Sequence, residues 1–129
     1  MKRMQWGFEN LEIWQIFLKH NETIYTKITP HSKVDWDLVR QLRRAMVSVG
    51  LNIAEGYSRK NLKEKIQFLN IAKASLNEVK ACLIIIETIA PDHPQCKIID
   101  PVLSEIKTMD AKLLYLMRYF ESKTPSSSK

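Results

Sequence analysis

The sequence predicts an all-α protein, an antiparallel up-down-up-down four-helix bundle that self-associates. Three observations predict it. Apolar residues recur at alternating three- and four-residue intervals along most of the chain, which is the period of a packed helix and not of a strand. Five prolines, Pro30, Pro91, Pro94, Pro101 and Pro125, leave two long proline-free stretches and mark loops between helices. With 129 residues, 45% of them hydrophobic, and only three glycines, the chain is large enough to bury one core without staples. Residues 1–122 are expected to form that single domain and 123–129 a disordered tail.

The first helix is expected over 10–28, where Leu11, Trp14, Leu18, Asn21, Tyr25 and Ile28 form a seam that stops at Thr29-Pro30. Asp35 is a candidate N-cap for the second, over 35–58. There Leu38, Leu42, Ala45, Val49, Asn52 and Gly56 make the seam, with Val39, Met46 and Ile53 as a second apolar line. Asn61 caps a third helix over 61–89, with Glu64 completing a capping-box-like start. Ile66, Phe68, Leu69, Ile71, Ala72, Leu76, Val79, Cys82 and Leu83 supply its apolar residues, and from Ala81 to Ile86 it is apolar nearly all round. The fourth helix is expected over 100–121, with Asp100 as N-cap, Pro101 in the first helical position, and a seam of Val102, Ile106, Met109, Leu113, Leu116 and Phe120. Short connections make neighbouring helices antiparallel.

This is more apolar surface than one four-helix core requires, which points to self-association. Trp14, Phe17, Ile84 and Ile85 are the candidate oligomer-interface residues. Trp6 and Phe8 are expected to dock on the bundle or on a neighbouring subunit, the other reading being base stacking.

Charge is concentrated. The net charge is +6, and the segment from Arg40 to Lys65 alone holds Arg40, Arg43, Arg44, Arg59, Lys60, Lys63 and Lys65 against Glu55 and Glu64. Arg40, Arg43 and Arg44 share a helix face, the other four cluster at the turn that follows, and Lys73 and Lys80 extend the line along helix three. Two readings stand. These cations contact phosphates, or they form a solvated surface with salt bridges to Glu78, Glu87 or Glu105.

Asn52 and Glu55 interrupt the seam of helix two. A tight hairpin about Lys60 places Asn52 opposite Phe68, Glu55 opposite Lys65, and Arg43 near Asn77 and Glu78. Asn52, Glu55 and Glu78 then form a structural polar seam, with Arg43 pairing to Glu78.

No chemistry of catalysis is spelled out. His20, His31 and His93 match no metal-ligand spacing, the Glu and Glu-x-x-His sets of di-metal bundles are missing, and the sequence has neither a phosphate-binding glycine loop nor a nucleophile elbow. The expectation is a protein without catalytic residues, metal or cofactor. Cys82 reads as a buried hydrophobe in a reducing compartment. The start lacks the pattern of a signal peptide and ACLIIIETIA is too short for a bilayer, so a cytoplasmic location without membrane contact is expected.

Three stretches carry a family resemblance: FENLEIW from Phe8, QLRRAMVSVGLNIAEG from Gln41 with Arg59 following, and FLNIAKASLNE from Phe68. With them the chain resembles, over nearly its whole length, the four-helix bundle proteins labelled 23S rRNA intervening sequence proteins. It departs from the family pattern at Gly50, where a proline is common. The resemblance implies a bundle that assembles into rings, often pentamers. It also implies likeness in fold to a basic accessory protein of diversity-generating retroelements, which serves a reverse transcriptase and binds nucleic acid. Two functional readings follow. The first is a non-catalytic binder of structured RNA or a ribonucleoprotein. The second is a scaffold ring that docks a partner enzyme such as a reverse transcriptase, with no direct nucleic-acid contact. A small-molecule or metal enzyme is disfavoured by the missing ligand set.

Overall fold

Four helices pack around one apolar core in the computed structural model, which describes residues 6–28, 36–89, 91 and 96–125. A short 3-10 turn, Gly7–Asn10, precedes α1 (Glu12–Thr23), α2 (Trp36–Ser58), α3 (Leu62–Ile89) and α4 (Cys96–Lys123). No strand occurs among the described residues. Thr29-Pro30, the Asp35 cap, His31, His93 and the last four residues of the expected tail lie outside them.

α1 opens out into a π-helical turn over Ile24–Ile28. The local sequence explains the weak end. Thr23, Ile24 and Thr26 are β-branched, and the Thr23 and Thr26 hydroxyls donate back to the carbonyls of Lys19 and Glu22 at 3.1 and 2.7 Å. The buried line of this helix is Ile13, Phe17, His20, Ile24 and Ile28. That corrects the expected seam by about one residue of rotation, since Leu18 and Tyr25 are exposed. The error came from His20: a histidine on the core line broke the apolar pattern that would have revealed it.

In α2 the expected lines are present. Val39, Leu42, Ala45, Met46, Val49 and Ile53 are buried, and two glycines make close approaches possible. A Cβ on Gly56 would stand 3.1 Å from the Lys65 carbonyl oxygen and from Phe68 Cβ, so the start of α3 lies directly on this residue. Gly50 receives the ring of Phe17 from α1.

Asn61 caps α3 as expected, its Oδ1 accepting from Glu64 N–H at 3.1 Å. The core side of α3 is Leu69, Ala72, Leu76, Val79, Cys82, Leu83 and Ile86, while Ile71, Ile84, Ile85 and Ile89 point outward. Burial pushes the Cys82 thiol up, with the Glu78 charge adding to it.

α4 starts at Cys96, four residues before the expected Asp100 cap, so Pro101 lies inside the helix. Proline lacks the N–H that would reach Lys97 carbonyl, but one such gap in the second turn is tolerated because Ile99 and Val102 are buried on either side. Ile106, Met109, Leu113 and Phe120 continue the core line expected from the sequence.

Candidate nucleic-acid interface

The structure divides the seven predicted basic site residues into two groups. Arg40, Arg43 and Arg44 belong to the first half of α2, whereas Arg59, Lys60, Lys63 and Lys65 surround the turn into α3. Ser58 lies fourteen positions beyond Arg44 on the helix, about 21 Å at 1.5 Å per residue, so the two groups form separate patches.

Their surroundings differ more than their charges. Arg40 pairs with Asp37 at 2.5 Å on the surface. The Arg43 guanidinium lies over two rings, 4.8 Å from the centroid of Tyr25 and 5.9 Å from that of Trp36. Arg44 is exposed and makes no ion pair with any described residue.

At the turn, Arg59 is bound by Glu55 at 2.7 Å, with Glu64 at 3.8 Å and the Phe68 ring centroid at 4.9 Å. Lys60 and Lys63 are exposed and, among the described residues, carry no ion pair. Lys65 is held differently from Lys60 and Lys63. Its ammonium donates to the Tyr57 carbonyl at 2.6 Å and lies 5.4 and 5.0 Å from the ring centroids of Tyr57 and Phe120. Burial lowers its pKa. Lys65 ties α3 to the end of α2 and to α4, with one of its three N–H donors held by the Tyr57 carbonyl. Lys73 is likewise engaged, 3.2 Å from Asp110 of α4.

Of the three residues expected to form a polar seam, Asn52 is half-buried, while Glu55 and Glu78 are exposed. Asn52 donates to the Ser48 carbonyl at 2.8 Å and to the Ser48 hydroxyl at 3.1 Å. That hydroxyl meets the hydroxyl of Ser75, a buried residue of α3, at 2.8 Å. Asn52 therefore answers to its own helix and to Ser75 through Ser48, not to Phe68. Glu55 takes Arg59 instead of Lys65. Among the described residues no ion pair joins Arg43 to Glu78. The chain turn at Lys60 brings Gly56 against Lys65 and Phe68, and the rotation of each helix about its axis decides which side chains meet.

Of the predicted interface residues, Ile84 and Ile85 are exposed at 50% and 45%. Trp14 is half-buried, edge-on to Phe8 at 4.8 Å and 5.2 Å from Phe17. Phe17 is another correction. It is 5% exposed and packed on Gly50, so it has no surface to offer a second copy. Phe8 docks on α1 through Trp14 as expected, while Trp6 is 69% exposed.

Among the described residues no three His, Cys, Asp or Glu side chains converge as a metal site would require. No helix among them is long and apolar enough to cross a membrane. His20 is placed unusually. It is buried, its Nε2 lies 3.8 Å from Glu105 of α4 without a hydrogen bond, and burial lowers its pKa more than the Glu105 charge raises it.

No curated protein matches the chain. A crystal structure of a protein of unknown function from the S23 ribosomal protein family of Bacteroides thetaiotaomicron is similar, with a TM-score of 0.70 over 81% of this chain and 97% of that one. At 18% identity the likeness speaks for the fold. The family model for the 23S rRNA-intervening sequence protein matches residues 9–109. Since that match spans most of the chain, the protein belongs to the 23S rRNA-intervening sequence protein family.

Proposed function

We propose that this protein is a non-catalytic, self-associating up-down-up-down bundle that binds structured RNA or a ribonucleoprotein through the turn between α2 and α3. The pairs Ser48 with Ser75, Lys73 with Asp110 and Glu12 with Lys112 support alternating helix directions. The outward Ile84, Ile85 and Ile89 on α3 support contact with further copies. The ring, often of five subunits, comes from the family resemblance.

One observation carries the binding reading: Lys60 and Lys63 stand exposed at a chain turn with no ion pair among the described residues, and Arg44 does the same on α2. Arg40 and Arg59 add to them, because their surface ion pairs are each worth about 0–1 kcal/mol and a phosphate competes for the cation. Contacts of this kind neutralise phosphates and release counterions, with little reading of base identity. A cytoplasmic location fits such a partner.

The test is binding of a structured RNA by the Lys60→Gln/Lys63→Gln/Arg44→Gln variant. Weaker binding with unchanged particle mass supports the proposal. Unchanged affinity removes these cations from the interface. The outward isoleucines favour a second reading, a scaffold that docks a protein partner. It predicts that the partner is lost on Ile84→Asp while the cation variants are silent.

A further inference from the structure

The α4 surface is of another kind from that of α3. Tyr115 is 75% exposed and Tyr119 48%, and neither ring belongs to the core. Four residues apart, they share one face about 6 Å apart along the helix axis. Arg118 is exposed between them, and the Lys123 ammonium stands 5.3 Å from the Tyr119 ring centroid. Phe120 meets Tyr119 edge to face at 5.5 Å, which restrains that ring.

Beyond Tyr115 a groove of about 780 Å³ opens between α4 and the start of α1. Leu11, Ile13, Ala111 and Leu116 line it with Lys107 and Lys112 beside them. Its volume lies in the range of pockets that hold a small organic group. Lys112 is paired with Glu12, which cancels the acidic charge nearest the groove, and Lys107 is exposed without an ion pair among the described residues.

Exposed rings interleaved with lysines narrow the class of partner. Protein interfaces also enrich tyrosine and arginine but deplete lysine, and Lys107, Lys112 and Lys123 stand around these rings, whereas Ile84, Ile85 and Ile89 form a separate aliphatic surface. Single-stranded nucleic acid instead rewards rings on which bases stack beside cations that track the backbone. We infer that the exposed side of α4 winding from Lys107 to Lys123 binds unpaired nucleotides, with bases stacked on Tyr115 and Tyr119, one base against the apolar groove, and phosphates on Lys107, Arg118 and Lys123. The site rests on the nucleic-acid reading above but lies on a different helix from Lys60 and Lys63. It adds a preference for single strands to a charge-driven contact.

The experiment is equilibrium binding of the intact protein to an oligouridine of about 12 nucleotides and to a blunt RNA duplex, with particle mass recorded throughout. Tyr115→Ala and Tyr119→Ala should each weaken oligouridine binding about 5- to 150-fold. Tyr115→Phe, which keeps the ring, should restore it, and duplex binding should hold. If both alanine variants bind oligouridine unchanged while the Lys60 and Lys63 variants lose affinity, stacking is overturned and the charge-driven reading survives. Failure to bind either RNA at low salt overturns both. A fall in particle mass on Tyr115→Ala assigns the face to a second copy of the chain and overturns the inference.

Discussion

The ring of Phe17 fills the space that a Cβ on Gly50 would occupy, so α1 approaches α2 only because residue 50 has no side chain. Both residues are buried, so the ring could move aside only within a packed core. The helix itself would prefer alanine at this position by about 1 kcal/mol. Overpacking opposes that gain, with a typical cost of about 1–3 kcal/mol. Gly50→Ala should therefore lower the urea midpoint, against helix propensity. In a Phe17→Ala background, already weakened by about 3–5 kcal/mol, the same change should be neutral or stabilising. Gly50→Pro meets the same ring and should be worse still.

Lys65 and Lys63 are two residues apart, and their substitutions should separate cleanly. Lys65→Ala removes a half-buried hydrogen bond to the Tyr57 carbonyl and a stem packed near Tyr57 and Phe120, at a cost of about 1–2 kcal/mol in chemical unfolding. Lys63→Ala, on an exposed position, should stay within about 0.5 kcal/mol of the parent. In a salt series of RNA binding the order reverses: Lys63→Ala lowers the slope, and Lys65→Ala leaves it.

His20 makes stability depend on pH. Burial holds its folded pKa below the ordinary imidazole value, with Lys19 acting in the same direction and Glu105 opposing. The unfolded chain therefore binds a proton that the folded chain refuses. Stability falls as pH drops through about 6.5 and levels off below the folded pKa. Tm measured between neutral and mildly acid pH should show this loss, and His20→Gln should flatten it.

Glu87 behaves in the opposite sense. A hydrogen bond to Asp100 raises its pKa above the usual carboxylate range, with burial and the charge of Asp100 adding to it. The folded state then holds a proton more tightly than the unfolded one, and this contribution is lost as pH rises through the folded value. Glu87→Gln should raise Tm at neutral pH, and the gain should shrink in acid, where Glu87 already carries its proton.

The helices were legible because their patterns were long and regular: the core residues of α2 and of α4 beyond Pro101 match the sequence reading nearly residue for residue. The start of α4 was not, since Pro101 at a first helical position and Pro101 in the second turn look alike in sequence. The α1 seam was hidden by a buried histidine. At the site, spacing identified the cations but not their burial. The pattern gave Lys65 and Lys63 equal standing, and only the positions of Tyr57 and Phe120 tell them apart. Tyr115 and Tyr119 lie beside the α4 seam, where nothing in the sequence tells a surface ring from one packed on a neighbouring helix.

If cations at the α2–α3 turn bind phosphates, the affinity of the intact protein for a structured RNA should depend on salt. Measured across a salt series, with particle mass recorded in each buffer, log affinity should fall linearly with log salt, with a slope of about −2 or steeper. The slope should become shallower when Lys60 and Lys63 are changed to Gln in a particle of unchanged mass. A full-mass particle that binds no RNA at low salt, or whose slope is untouched by those two substitutions, would contradict phosphate binding at this turn.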